Sequence, residues 1–412
     1  TVLAMKAGAV AQSGQDSQSI STGFLTRQEA VARALGDNPG ISAATERLRA
    51  TEAMARQAGL LLNPTLDVQI ENFAGSGPLS GLGGAESTYA LTQKIELGGD
   101  RRARRTVAER EIDAVRLRAG LSALDLREAV EIAFVDAQAA EAFAELALSR
   151  LAVAREFAEA VDRRVRAARD PEAASARVSA RLAEAEVGLE TARVRASAAK
   201  TALANYWGGG GDYSVETTTF FSLVMRERGG GASPDIAFAE ALRDGAAARV
   251  EIERARRVPD PSVIAGFRRF HATDDSAFVV GIRVPLPFWN SNSGAIAAAR
   301  ADQRRAEFEV AARERDLMRE IAFLSSQADA ARTEVTAYAE RIIPSSKSAL
   351  NQSLRAFRRG GLSYIEVLEA QSALTEVREK QINALLTYHR AEASLARRRG
   401  ILTSGDFQET SQ

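Results

Sequence analysis

Two stretches of this chain alternate apolar with polar residues, and each is followed by a helical pattern too long for a globular core. In the first, Leu66, Val68 and Ile70 alternate with Thr65, Asp67, Gln69 and Glu71, the two-residue period of a strand with one apolar face. A Gly-rich stretch from Gly75 to Gly84, containing Pro78, reads as an exposed loop. Beyond it Tyr89, Leu91, Ile95 and Leu97 alternate with Thr88, Ala90, Thr92, Lys94 and Glu96. In the second stretch Phe278, Val280, Ile282, Val284 and Leu286 alternate with Val279, Gly281 and Arg283, while Ser262 to His271 alternates poorly. A short turn at Thr273-Asp274-Asp275 separates the two halves of this pair. Segments of about ten residues suit tilted strands that cross a bilayer in a barrel. Alternation by itself is equally compatible with a hairpin on a soluble domain.

From Asp100 to Arg169 no proline or strand signal interrupts the chain. At about 1.5 Å per residue that is a helix of roughly 100 Å. Leu117, Leu121, Leu124, Val130, Phe134 and Val135 recur at three- and four-residue intervals among charged residues, so the helix is amphipathic and needs neighbours along its length. The chain turns at Asp170-Pro171 and a second helix returns to Trp207.

The same order of elements then recurs. Asn63-Pro64 and Asp260-Pro261 stand at corresponding places before the two strand pairs, after helical stretches from Arg27 to Leu62 and from Asp235 onward. The reading is a first repeat at 25–207, with strands within 63–97 and helices at 100–169 and 172–207, and a second at 234–400, with strands within 260–288 and helices at 294–358 and 363–400. Pro344 lies inside the first helix of the latter pair. Residues 208–233 are read as a separate patch beside the helices, 1–24 as a disordered start or signal remnant ending near Ala9-Val10-Ala11, and 401–412 as a tail.

Composition narrows the function. Lys+Arg and Asp+Glu each number 54 in 412 residues, and this balance speaks against a nucleic-acid partner. The chain has no cysteine, which removes disulfides, thiolate ligands and cysteine nucleophiles. No run approaches the roughly 18 apolar residues of a spanning helix, so any membrane span must consist of strands. Gly98-Gly99 and Gly360-Gly361 lack the Walker lysine and read as turns. His271 and His389 stand far apart, so neither a metal site nor a cofactor is expected, and no nucleophile-base pair suggests an enzyme.

Asn63-Pro64-Thr65-Leu66 with Glu71-Asn72-Phe73, Gln93-Lys94-Ile95-Glu96-Leu97-Gly98-Gly99 before Arg101, Arg102, Arg104 and Arg105, and Val284-Pro285-Leu286-Pro287-Phe288-Trp289-Asn290 with Gly294 together form a familiar pattern. Over residues 25 to 400 the chain resembles the outer-membrane subunit of cobalt-zinc-cadmium type heavy-metal RND efflux systems, a branch of the TolC-like outer-membrane factors. The resemblance implies a mainly α protein with membrane β structure: a homotrimer forming a twelve-stranded β-barrel, four strands per chain, continued by an α-helical barrel into the periplasm. It implies a bacterial outer-membrane location, contact with outer-membrane lipid, and passive conduction of heavy-metal cations from an inner-membrane RND pump and a periplasmic adaptor, the membrane fusion protein. Export of organic drugs or other solutes is the alternative cargo, and a soluble coiled-coil interaction protein the alternative class. Many members carry a lipid-anchoring cysteine; this sequence has none, so no anchor is expected.

By the same resemblance Glu366 and Glu369 are candidates for the periplasmic constriction; three positions apart on a helix, they share one face. The competing reading is a solvated charged face. Gly360, Gly361, Leu362 and Ser363, with Asp170 and Pro171, are candidates for the tip that meets the adaptor, and the first tip, Arg169-Asp170-Pro171-Glu172, lacks the glycines of the second. Leu66, Val68, Ile70, Tyr89, Leu91, Phe278, Val280 and Ile282 are expected to face lipid, and Asp67, Gln69, Lys94 and Arg283 the lumen. Arg101 to Arg105 are read as a charged helix face near the membrane boundary.

Overall fold

The computed structural model describes residues 24–223 and 233–400. The signal-remnant reading and the C-terminal tail fall outside the described residues. Thr26 opens helix α1 (Arg27–Asp37) in a reciprocal capping box with Glu29. Asn38 ends α1 and caps α2 (Pro39–Ala58) through Gly40 N–H. The single helix expected over Arg27 to Leu62 is therefore two. Pro39 has no N–H to continue the first and suits the opening position of the second.

Four strands form one antiparallel sheet in the order β1 (Thr65–Glu71), β2 (Glu86–Lys94), β3 (Ser262–Phe270), β4 (Asp275–Arg283). The two hairpins of the repeat are thus joined through β2 and β3. Strand β3 pairs along its whole length on both sides despite its poor alternation, because cross-strand partners on two edges outweigh the pattern of a single segment. Ile95 and Leu97 lie beyond the end of β2, where Ile95 N–H still bonds the Pro261 carbonyl at 2.8 Å.

The helices are α3 (Asp100–Arg166), α4 (Glu172–Ala204), α5 (Pro234–Ala255), α6 (Ser293–Ala337), α7 (Ile343–Arg358) and α8 (Tyr364–Arg399). A wide π turn over Tyr338–Ile342 links α6 to α7. Pro344 explains it: with no N–H to donate, the ladder is relaxed into the looser turn instead of breaking. Gly98 is required where the sheet hands over to α3, since a Cβ there would overlap the Ala255 carbonyl oxygen.

Packing arranges the helices side by side. Near the sheet the order is α2, α3, α5, α6; farther away it is α4, α3, α8, then α6 and α7. The result is a wall with a series of small apolar clusters instead of one core. Residues 208–223, expected as a separate patch, are built into this wall. Phe220 is fully buried in a cluster with Val135 and Leu385, Val215 bridges to Leu25, and Gln138 donates to the Glu216 carbonyl at 2.5 Å and to Thr219 Oγ1 at 3.1 Å. An aromatic side chain at the centre of this Gly-flanked segment finds more apolar contact in the helix groove than on its surface.

The buried guanidinium of Arg397, 3% exposed, ties α8 to Asp125 of α3 and Asp235 of α5. Arg313 of α6 also meets Asp235 at 2.8 Å. Burial pushes the Asp235 carboxyl up, but hydrogen bonds from Arg397 and Arg313 outweigh it and hold the group below its ordinary value. A buried arginine needs this compensation.

A candidate conduit: sheet faces, free edges and helical tip

The strand register decides which side chains share a face. Leu66 stands opposite Leu91 and Val68 opposite Tyr89; Tyr89 pairs Phe267 and Leu91 pairs Ala265; Phe267, Ala265 and Val263 pair Phe278, Val280 and Ile282. All eight residues expected toward lipid therefore lie on one face, with Tyr89 and Phe267 stacked at 5.2 Å between ring centroids. That face is open, Phe278 being 94% and Val280 79% exposed. An apolar surface of this extent is not stable against water. Nine residues at about 3.3 Å span roughly 30 Å, and the usual tilt brings this near the roughly 25 Å apolar band of a membrane barrel.

The opposite face collects Asp67, Gln69, Lys94 and Arg283, as expected, and adds Glu71, Glu86 and Arg268. Arg268 donates to Thr88 Oγ1 and Glu86, each at 2.9 Å, and lies 3.4 Å from Glu71. Thr92 donates to Asp67 at 2.7 Å. These contacts satisfy the polar groups of this face, whose desolvation without partners would be costly.

β1 and β4 each have one neighbour within the chain, so both outer edges of the sheet are free among the described residues. Unpaired backbone groups are not tolerated in lipid. The helical wall also ends in open edges. On α4, Val187 and Val194 are exposed seven residues apart; on α6, Phe308, Met318 and Phe323 are exposed. Exposed apolar residues on edge helices, a heptad apart on α4, are the surface of a further helix–helix seam.

At the far end of the wall, Gly360 takes a left-handed backbone (φ 80°) at the turn from α7, which glycine adopts without strain. Ser363 then caps α8. Its N–H and hydroxyl donate to Glu366 at 2.7 and 2.9 Å. These bonds hold the Glu366 carboxyl below its ordinary value. Glu369 is exposed, while Val367 between them is buried against Phe157 and Phe357, so the two carboxylates lie on the helix face that the apolar contact leaves free. Leu362 is half-buried, and Gly361 and Ser363 are exposed. At the first tip Pro171 precedes α4, and Asp170 accepts two bonds from Arg164, at 2.7 and 3.0 Å. These hold its carboxyl below the usual range.

Sequence reasoning missed what connects the tips. The Arg164 guanidinium lies over the Phe357 ring at 5.2 Å, and Phe157 meets Tyr364 edge-on at 5.5 Å. Val153, Phe157 and Val161 do recur every four residues along α3. Their partners, however, come from the other repeat, which no local pattern identifies. The histidines are accounted for as well: His389 bonds the Phe220 carbonyl at 2.8 Å and His271 lies 3.2 Å from Ser87 Oγ.

A sheet with one apolar face, one polar face and two free edges, extended by a helical wall whose edge helices expose apolar residues, is the architecture of a membrane conduit subunit. The family described as outer membrane efflux protein matches residues 30–209 and 231–400, and the chain belongs to that family. The cobalt-zinc-cadmium resistance protein CzcC of Cupriavidus metallidurans is 28% identical over 386 residues, covering 92% of this chain and 90% of CzcC. The nickel and cobalt resistance protein CnrC of the same organism is 31% identical over 265 residues, 63% of each chain. The fold matches the crystal structure of CusC with a TM-score of 0.77 at 18% identity, covering 90% of this chain and 91% of that one. The protein is thus an outer-membrane channel component with a TolC-like fold and not an enzyme, and the soluble coiled-coil alternative is set aside.

Proposed function

We propose that three copies of this chain close a twelve-stranded barrel and a continuous helical tunnel, and that the tunnel passively conducts heavy-metal cations delivered by an inner-membrane RND pump through a periplasmic adaptor. The observation that carries the reading is the four-stranded sheet with one exposed apolar face and two unpaired edges, in a chain similar along most of its length to a cobalt-zinc-cadmium resistance protein. Four strands cannot close a barrel, and β1 of one copy offers β4 of the next the ladder that each lacks. Deleting the gene and measuring tolerance to zinc, cobalt, cadmium, nickel, copper and organic drugs tests the cargo. Lost metal tolerance with drug tolerance unchanged is the expected result; the reverse transfers the assignment to organic solutes.

At the periplasmic end Glu366 and Glu369 are proposed to line the constriction, three-fold symmetry bringing six carboxylates toward the axis, which favours cations over anions. Their exposure on the free face of α8 supports this. Gly360, Gly361, Leu362 and Ser363, with Asp170 and Pro171, are proposed as the adaptor-contacting tip. Replacing Glu366 and Glu369 with glutamine keeps the cap, because glutamine serves a capping box as glutamate does. Planar-bilayer recordings of that variant are expected to show weaker cation preference and weaker block by multivalent cations. Unchanged selectivity and block return both residues to an ordinary solvated face.

A further inference from the structure

Where the sheet meets the helices, α2 and α3 enclose an open groove of about 870 Å³ in which Arg56, Arg101, Arg102 and Arg105 outnumber Glu52 and Glu109, with Leu60 beside them. Two of the four arginines are committed: Arg105 pairs with Glu109 at 2.8 Å, and Arg101 donates to the Gly59 carbonyl at 2.6 Å. Arg56 and Arg102 are exposed and have no carboxylate partner among the described residues. Arg102 also sits in the first turn of α3, where positive charge opposes the helix dipole. Helix stability therefore does not account for it.

The depth of the groove is set by its neighbours. Leu60 and Leu61 are exposed on its sheet side, and the chain leaving β4 carries Phe288 and Trp289, the latter 95% exposed. Exposed aromatics at the end of a lipid-facing strand mark the membrane interface. Arg102 and Arg105 follow within the first turns of α3, less than about 10 Å along the axis. That is the level of lipid headgroups on the periplasmic side.

A second copy of the chain is the competing occupant, since α2 is an edge helix. The part of α6 at this depth, 293–302, carries one arginine and one aspartate, Arg300 and Asp302, and otherwise uncharged residues. It brings no acidic surplus to a groove with two unpaired arginines. A phosphodiester does.

We propose that this groove binds the headgroup of an anionic phospholipid from the periplasmic leaflet of the outer membrane, Arg56 and Arg102 holding the phosphate and Leu60 meeting the start of the acyl chains. The inference rests on the membrane placement of the sheet and not on the cargo. The site fixes the height of the duct in the membrane from below the barrel.

The test uses the full chain extracted in detergent, delipidated and titrated with phosphatidylglycerol, phosphatidylcholine or inorganic phosphate. Retained lipid is counted by native mass spectrometry. Phosphatidylglycerol is expected to be retained in preference to phosphatidylcholine. The double variant R56Q/R102Q is expected to lower its apparent affinity about thirtyfold, each charge near an anionic lipid being worth about fivefold, while R56K/R102K keeps most of it. Equal retention by wild type and the glutamine variant overturns the proposal. So does displacement of the lipid by millimolar phosphate, which marks a free-anion site, or loss of the oligomer in the glutamine variant, which marks a seam between copies.

Discussion

Asp100 illustrates how far a single residue's environment departs from its sequence context. It opens α3 at a position where a carboxylate normally favours the helix, yet it is buried beside Asp260 and Glu96. Desolvation first, then the negative charges of Asp260 and Glu96, push its carboxyl above the ordinary value, against the pull of Arg256 and Arg104. A carboxyl raised in the folded state costs stability when ionised. That cost is present at neutral pH and disappears as pH falls through the raised value, where the folded form takes up its proton. Asp100→Asn is therefore expected to raise the thermal midpoint at pH 7 and to lose this advantage in acid; a lower midpoint at pH 7 overturns the assignment. The turn glycines beside Asp100 were legible in the sequence. The like charge of Asp260 was not, because it arrives from the other repeat when β3 docks on β2.

For the strands, the two-residue period made β1, β2 and β4 readable, together with which side chains share a face, because a strand with one apolar and one polar surface must alternate. β3 was less readable: Ile264 and Phe270 fall on the polar face and Arg269 on the apolar one, while Arg268 holds the polar face together through Glu86 and Glu71. Val280 lies midway along β4 on the apolar face, opposite Ala265. Val280→Arg is expected to destabilise the inserted barrel by about 2–4 kcal/mol, the cost of a charge near mid-depth on the lipid face. Gln69→Arg, on the wet face, is expected to insert normally. Folding into lipid vesicles followed by denaturant titration distinguishes the two, and equal behaviour reverses the facing.

Across the whole molecule the long helices were legible because uninterrupted amphipathic period and two turn signals leave few other arrangements. Their order in the wall, and the coupling of the two tips, were not. Arg164 sits at that coupling, bonded to Asp170 at the first tip and stacked on Phe357 of the second hairpin. Its hydrogen bonds depress the Asp170 carboxyl, so the pair's contribution is fully present above the ordinary aspartate value and is lost as pH falls through the depressed one. Acid thus removes the anion that orients Arg164 over Phe357, and the cluster of Phe157, Phe357 and Val367 is left to hold the hairpins alone. Arg164→Gln imposes the same loss at neutral pH. In limited proteolysis at the Gly360-Gly361 turn, this variant is expected to be cut faster than wild type at pH 7, and the difference to narrow as pH is lowered into the range where wild-type Asp170 is protonated. The same rate at pH 7 shows that Arg164 decorates the first tip without holding the second.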